Sequence, residues 1–565
     1  MANWESFRVV DIISEIDEEK YVLPVMQREL VWSMEKMELL FDSLLKSNSF
    51  GSIIVIEEDK DSSPLFAFRP FTKDGALLPS QKKDMLTKRQ YFVIDGQQRL
   101  QSFYIGLKGS YKGKILFFDL FSDYSENFEF QFANEIQKLP NITKEERPLQ
   151  KRLWYSCKDL FLKAKKDPDF DDVSSDIIKS LKIEDEEQKK HIRENIKAFH
   201  NNIIVAKTIG VAIVKLKRNL SEVKNRQKML DLFIRLNDGG TKLSQLDLMA
   251  STLKAFDYRM EAFLREITKK FKDINVGPEN LIKLIFLLQD DYSKEMSELD
   301  ESDTDFIIAH SERIKNTLLA LRAFLNCAML YDYYKYENRS FIPLFFIAYH
   351  IFHSKTSTAS LANIFDNWET SNSDFKPMKI WICRSLLNGV FRSRGAGWIP
   401  YKTGIKKLLN EIKNHKGKVF PDQALFEVYI NHPINYIKDI NEKSLDSLDW
   451  EFFFYFIYSG KPQVDRTNDV DHIMPRNILE KMGYNEDDIN SMKNFQLLDY
   501  GTNRGAKNGK PFLEWIGNEE YVKDKTTYME THFIPKDESL WDEKHFLEFS
   551  EKRGELIAEC INKLL

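Results

Sequence analysis

Three short runs of β-branched and aromatic residues, Ser52–Ile56, Gln90–Ile94 and Lys114–Phe118, have the length and composition of strands. Between the first two, residues 57–89 are polar and carry Pro64, Pro70 and Pro79, which predicts an irregular insertion. Met37, Leu40, Phe41, Leu44 and Leu45 fall at helical spacing within Lys36–Leu45. Val22–Leu120 therefore reads as an α+β unit. Residues 165–200 are rich in charges of both signs, and Ile203–Ala206 and Ile209–Val214 then read as strands that complete the first sheet. Beyond Lys224 the pattern turns helical, interrupted by the polar, acidic residues 292–305, a predicted loop. The predicted fold class is multi-domain and mostly α with α+β. Residues 1–225 form the first domain, 226–374 a helical coupling region and 375–565 the last.

Composition changes that picture only at its edges. A chain of 565 residues with 42% hydrophobic content buries a sizeable core and spans about three domains of roughly 100–200 residues. Cys157, Cys327, Cys383 and Cys560 lie far apart, which suggests neither a disulfide framework nor a cysteine-rich zinc site. The longest apolar runs, Leu344–Tyr349 and Phe452–Tyr458, fall far short of the roughly 20 residues of a membrane span. A soluble, cytoplasmic protein with no membrane partner is expected. The net charge of -5 argues against a uniformly basic surface. Locally, residues 375–420 hold 11 Lys and Arg against Glu411 alone, with Phe391, Trp398 and Tyr401 interleaved. This segment reads either as a solvated face or as a phosphate-contacting surface, and its place ahead of the next motif favours the second.

That motif begins at Asp469-Val470-Asp471-His472. Asn494 follows His472 by 22 residues, opening the strand-like run Asn494–Leu498, and Asn503 follows by a further 9 in Gly501–Lys507. The order reads as strand, loop, strand, helix, with Asn503 and Lys507 four apart on one helix face. Asp and Asn oxygens are the hard ligands that Mg²⁺ or Mn²⁺ prefers, and His472 beside them is placed to act as a base. Phosphodiester hydrolysis needs those parts. The plain alternative is a surface turn at Asp471-His472 with two loop-forming asparagines.

These residues resemble the HNH, or ββα-metal, nucleases, and in particular the HNH domain of RNA-guided CRISPR effector nucleases. The resemblance implies His472 as general base and Asp471 and Asn503 as metal ligands. It implies Asn494 as the residue that braces the loop carrying the base, and Lys507 as a phosphate contact. Arg504 and Arg476 are further DNA-contact candidates, and Arg466 flanks the motif as well. Asn503 stands where the family often has His, which favours an oxygen-ligated Mg²⁺-type site over a zinc site.

Near the N-terminus, Pro24-x-x-Gln27-Arg28-x-x-x-Trp32 precedes the first amphipathic helix, and Asp95-Gly96-Gln97-Gln98-Arg99-Leu100 follows a strand. Gly96 permits a tight turn, and Gln97, Gln98 and Arg99 then project from a strand-to-helix junction where backbone N–H groups favour an anion. Arg28 offers a second guanidinium. A phosphate, a nucleotide or the DNA backbone suits such a pocket, and a buried polar network that only holds the fold suits these residues equally. No Walker A pattern is present, so any NTP use requires a different kind of pocket. A third motif, Phe233–Ser244, has Gly239-Gly240 to break one helix and Ser244 to cap the next. It reads first as a hinge, with Arg235 and Asn237 as secondary candidates for ligand contact.

Together these three motifs resemble the N-terminal domain of GmrSD-type restriction enzymes, a ParB/sulfiredoxin-like fold. The resemblance implies NTP binding and hydrolysis (GTP, ATP or CTP) at Gln27, Arg28 and Asp95–Arg99, and a C-terminal HNH nuclease. The implied function is a nucleotide-regulated, metal-dependent endonuclease of the type IV restriction class, cutting foreign double-stranded DNA with modified bases. The rivals are a nicking nuclease that senses phosphorothioate DNA and a non-cleaving NTP-binding regulator that binds nucleic acid. One HNH site cuts one strand, so a double-strand break implies a homodimer or two successive nicks.

Overall fold

The computed structural model describes residues 3–48, 51–134, 152–167, 169–216, 221–237, 245–291, 294, 298–336, 339–366, 373–392, 404–431, 436–461, 469–499, 501–507 and 509–565. The chain packs as two units, one of Met1–Glu266 with Lys294–Ile308, the other of Ile267–Ser293 with Ala309–Leu565.

The first unit is built on a six-stranded mixed sheet. Its strands are β1 (Asn3–Phe7), β2 (Tyr21–Pro24), β3 (Ile53–Glu58), β4 (Phe68–Pro70), β5 (Gln90–Asp95) and β9 (Ile209–Lys215), in the order β1-β9-β3-β5-β2-β4. The β9–β3 and β5–β2 pairs are parallel and the other three antiparallel. Parallel neighbours need covering layers, and helices supply one. Helix α1 (Val9–Asp17) buries Val9, Ile12, Ile13 and Ile16, a helical-period stripe. Helix α2 (Met34–Leu45) starts at Ser33, whose hydroxyl accepts from the Lys36 N–H, and buries Met37, Leu40, Phe41, Leu44 and Leu45. Helix α3 (Gln97–Lys108) joins them in a core with Ile53, Val55, Val93 and Val211. A second cluster holds Val22, Ile56, Phe92 and Ile94 against Leu230 and Phe233 of the helix Glu222–Asn237.

The run Lys114–Phe118 becomes β6 (Ile115–Asp119), but in a separate three-stranded antiparallel sheet between β7 (Phe130–Ala133) and β8 (Trp154–Ser156). Ile203–Ala206 is not a strand: Asn201–Val205 is a π-helical turn that continues the helix Glu186–His200. Its register is held by Asn202, which donates to the Leu45 and Ala198 carbonyls at 3.1 Å each. The first amphipathic helix is α1, ahead of the Pro24–Trp32 motif rather than after it. The expected loop at 292–305 gives way to a helix from Glu301 to Cys327.

Among its described residues the second unit is mainly helical, with one two-stranded antiparallel pair, β10 (Asp469–His472) and β11 (Phe495–Leu498). Its helix Trp450–Tyr458 is capped by Asp449, which accepts from the Phe452 N–H at 3.0 Å. The C-terminal helix Phe546–Leu564 buries Phe546, Phe549, Ile557 and Ile561. Among the described residues no helix is long and apolar enough to cross a membrane.

Candidate functional site

In the second unit, register sets His472 opposite Phe495 and Asp471 opposite Gln496, at the end of a pair only four residues long. Asn494 opens the returning strand and is fully buried. Its side-chain oxygen accepts from the Met474 N–H at 3.0 Å, and its amide donates to the carbonyls of Met474 at 3.1 Å and Ile489 at 3.0 Å. The Asn494 carbonyl also accepts from the Ile473 N–H at 2.7 Å. One side chain thus fixes the backbone that leaves His472.

His472 is half-buried, its ring 4.7 Å from that of Phe495 and its Nε2 3.0 Å from Asn490 Oδ1. Burial pulls its pKa below the ordinary histidine value, against the raising effects of Asn490 and Asp471. With Asn490 Oδ1 accepting from Nε2–H, the neutral ring carries its lone pair on Nδ1. Asn490 has no sequence signal beyond proximity. Gln496 and Tyr528 have none either: the Tyr528 hydroxyl donates to Gln496 Oε1 at 2.6 Å, and Gln496 Nε2 donates to Asp471 Oδ2 at 2.9 Å.

Lys507, expected at a phosphate, is buried instead. Its ammonium donates to Asp471 Oδ2 and to the His472 carbonyl, and only 2% of its side chain is exposed. Burial lowers its pKa while Asp471 opposes that shift. It ties the turn Thr502–Lys507, π-helical where the sequence predicts a helix, to the strand that carries His472. Asn503 lies in that turn, its backbone N–H donating to the Asp499 carbonyl at 2.9 Å. Arg504 stands 4.0 Å from Asp469 Oδ2, and Arg476 is held by Glu480 at 2.6 Å and Glu486 at 3.2 Å. Arg466 lies outside the described residues.

Gln496 and Lys507 both contact Asp471 Oδ2, so Asp471 Oδ1 and the Asn503 side-chain oxygen are the hard donors these residues could offer a cation. Among the described residues there is no cluster of three His, Cys, Asp or Glu side chains with metal-site geometry.

Beneath the pair lies Arg553 of the C-terminal helix, fully buried. It donates to four carbonyls: His532 at 2.9 Å, Met492 at 3.1 Å, and Lys493 and Phe495 at 2.7 Å each. Burial without a carboxylate partner pushes its pKa down to about 10. This residue holds both flanks of Asn494, and nothing in its sequence neighbourhood announces it.

In the first unit the Asp95–Arg99 residues converge on the loop after β2. Gln27 is buried and donates to the Val93 and Ile94 carbonyls at 2.8 Å each. Gln97 donates to the Arg28 carbonyl at 2.6 Å. Gln98 accepts from the N–H groups of Val31 at 2.9 Å and Trp32 at 3.3 Å. Arg99 donates to the Ser52 carbonyl at 2.7 Å and pairs with Asp95 at 3.1 Å. Gly96 has φ +89°, and a Cβ there would sit 2.8 Å from Ile53 Cγ1, so the turn tolerates only glycine. The three glutamines thus spend their amides on the backbone, while the Asp95 carboxylate is 43% exposed. A cleft of about 570 Å³ lined by Ser47, Asn48, Gly51, Ser52, Thr208 and Gly210 opens on the Ser52 side of this cluster. In the third motif, Arg235 is exposed on the helix Glu222–Asn237, while residues 238–244 and the Asn237 side chain lie outside the described residues.

At least six of the cations in 375–420 make internal contacts, Lys418 to the Asn414 carbonyl at 3.3 Å among them. Lys379 donates to the Leu564 carbonyl, Arg384 to that of Lys438, Arg392 pairs with Asp449, and Lys413 and Lys416 with Asp290. Arg394, Trp398, Tyr401 and Lys402 lie outside the described residues.

A mixed-sheet unit with a polar strand-to-helix junction, and a helical unit carrying a histidine on a braced β pair, define a two-part protein with a candidate hydrolytic centre in its second part. Residues 9–254 match the family described as GmrSD restriction endonuclease, N-terminal domain. The chain is also 25% identical over 260 residues to "Uncharacterized protein MJ0686" of Methanocaldococcus jannaschii, a stretch that is 44% of this chain and 41% of that protein. The chain thus spans about two fifths of the length of this curated relative.

Proposed function

We propose that the protein is a divalent-metal-dependent DNA endonuclease of the restriction type, acting in defence against foreign DNA such as that of phage. The observation that carries the nuclease reading is the Asn494 brace: a buried asparagine that fixes the backbone on the far side of the histidine by three side-chain hydrogen bonds. The match of residues 9–254 to a restriction endonuclease N-terminal domain supports the restriction class. We read β10, the Asn494 loop, β11 and the Thr502–Lys507 turn as an HNH-type centre.

In this reading His472 Nδ1 takes the proton of the attacking water, and Asn490 holds the ring from Nε2. Asp471 and Asn503 would hold Mg²⁺ or Mn²⁺, which when bound neutralises charge on the phosphate and leaving oxygens. Lys507 orients Asp471 and the His472 carbonyl from inside the fold, and Arg504, exposed and 4.0 Å from Asp469 of the same strand, is assigned to the DNA backbone. NTP binding is assigned to the first unit, at Asp95 and Arg99 and the adjoining cleft, whose volume lies within the usual roughly 300–1,000 Å³ of ligand sites. Modified double-stranded DNA as substrate, and a homodimer for double-strand breaks, complete the proposal.

The test is digestion of matched unmodified, hydroxymethylated, glucosylated and phosphorothioated duplexes with Mg²⁺ or Mn²⁺, with and without GTP, ATP and CTP. Metal-dependent cleavage of one or more modified duplexes in preference to the unmodified one is expected. No cleavage of any duplex under all these conditions would overturn the reading.

A further inference from the structure

In the first unit, Leu65, Ala67 and Lys82 of the irregular insertion at 57–89 line a cleft of about 250 Å³ together with the turn that joins the helices Gln245–Phe256 and Arg259–Lys270. None of its lining residues belongs to the Gln27–Arg28 or Asp95–Arg99 cluster. The lining holds four cations, Lys82, Arg226, Lys254 and Arg259, against one carboxylate, Asp257.

Internal pairing accounts for the two arginines. Arg259 closes on Asp257, Nη2 to Oδ2 at 2.5 Å and Nε to Oδ2 at 2.9 Å, and Arg226 reaches Glu301 at 2.8 Å. The two lysines are left. Neither makes a hydrogen bond or an ion pair among the described residues. Lys82 is exposed, whereas Lys254 is half-buried and its ammonium keeps accessible surface. Burial lowers the Lys254 pKa, with Glu261 the main acid opposing that shift. Glu261 is itself held elsewhere, by Arg69 at 2.6 Å and by the Ser80 N–H at 3.2 Å. An ammonium drawn out of water without a partner is unfavourable, and an anion in the cleft would relieve it.

Size and charge narrow the anion. The volume is below the roughly 300 Å³ at which drug-sized ligand sites begin, so a whole nucleotide does not enter, while a phosphoryl group with a few waters of about 30 Å³ each does. A phosphomonoester carries nearly two negative charges at neutral pH, which two ammonium groups balance. A backbone diester of DNA carries one and is flanked by sugars on both sides, which suits an open face rather than this cleft.

We infer that the cleft binds a phosphomonoester group, held between the Lys254 ammonium inside and the Lys82 ammonium at the rim. Lysine serves here as a point charge, and Arg226 and Arg259 add to the positive field. Such a group comes either as free inorganic phosphate or as the terminal phosphate of a nucleotide. The nucleotide source rests on the NTP reading of the first unit, and the anion site does not.

The experiment uses the full-length protein in EDTA. One arm follows ³¹P NMR line widths of inorganic phosphate, the other those of the terminal phosphate of ADP, GDP and CDP. Both are repeated with Lys254→Met, with Lys82→Glu on the exposed rim, where folding is not at stake, and with Asp95→Ala in the cluster assigned to NTP. Binding of inorganic phosphate weakened about tenfold or more by either lysine variant, with no nucleotide binding, supports the inference with the free anion as the source. Nucleotide binding weakened by the same two variants and displaced by inorganic phosphate supports it with the nucleotide as the source. No broadening in either arm overturns it, and so does wild-type affinity in Lys82→Glu, whatever Lys254→Met does. Nucleotide binding that falls with Asp95→Ala alone overturns this site and leaves the NTP reading standing.

Discussion

Asn494 and Lys507 both act at His472, one through neutral hydrogen bonds and one through charge. Asn494→Ala strands the Met474 N–H and the Met474 and Ile489 carbonyls in a buried site. The expected cost is about 1–3 kcal/mol in urea unfolding, together with loss of cleavage. An unfolding free energy within about 0.5 kcal/mol of wild type, the range of ordinary surface substitutions, would show that the brace carries little. Lys507→Met leaves the largely buried Asp471 carboxylate without its cation, and breaking such a pair costs about 3–5 kcal/mol. If Asp471 also holds the metal, millimolar Mg²⁺ should raise the melting temperature of Lys507→Met more than that of wild type. Equal shifts would count against Asp471 as a ligand.

Two four-residue strands do not hold together unaided, so β10 and β11 depend on what lies beneath them. Arg553 caps four carbonyls around Asn494 with one planar fork, and Arg553→Lys keeps the charge without that geometry. A loss of about 2–3 kcal/mol in chemical denaturation is expected, and a neutral result would remove Arg553 from the scaffold. Beside it, burial pushes the His532 pKa down to about 3, reinforced by Arg553, Lys461 and Lys507, with Tyr458 and Tyr528 packed on the ring. An unfolded histidine titrates near 6.5. The stability held by neutral His532 is therefore full above about pH 6.5 and is lost as pH falls toward 3. Thermal melts should show this acid-side decline and His532→Phe should flatten it; an unchanged slope would refute the assignment. Such partners explain what the sequence hides. The runs at 52–56, 90–94, 114–118 and 209–214 were legible because their apolar pattern is local, and so was the strand–loop–strand order at 469–498. The sheet to which Ile115–Asp119 belongs, the π-helical turn at Asn201–Val205, and the reach of Arg553, Gln496 and Tyr528 to the site depend on contacts distant in the chain, which no periodicity records.

At the scale of the molecule, the net charge of -5 does not measure the cations available to DNA, because many serve the fold. The basic stretch at 375–420 shows it: Lys379, Arg384, Arg392, Lys413 and Lys416 hold carbonyls and carboxylates of their own unit. Charge counts along the sequence could not separate such structural cations from DNA-facing ones. The two units also divide the proposed work. Asp95→Ala and Arg99→Ala in the first are expected to abolish phosphate release from GTP, ATP and CTP, and unchanged release with all three would remove NTP hydrolysis from this cluster. The nuclease claim rests on His472 alone among the ring nitrogens of the second unit. Its most direct measurement is supercoiled-plasmid cleavage by wild type and His472→Ala, side by side in Mg²⁺, Mn²⁺ and EDTA, with DNA of the modification found to be cut. Wild type should nick or linearise the plasmid only with metal, and His472→Ala should be slower by at least about 100-fold, the lower range for a lost general base. Cleavage by His472→Ala at the wild-type rate would contradict the assignment of this histidine as the base.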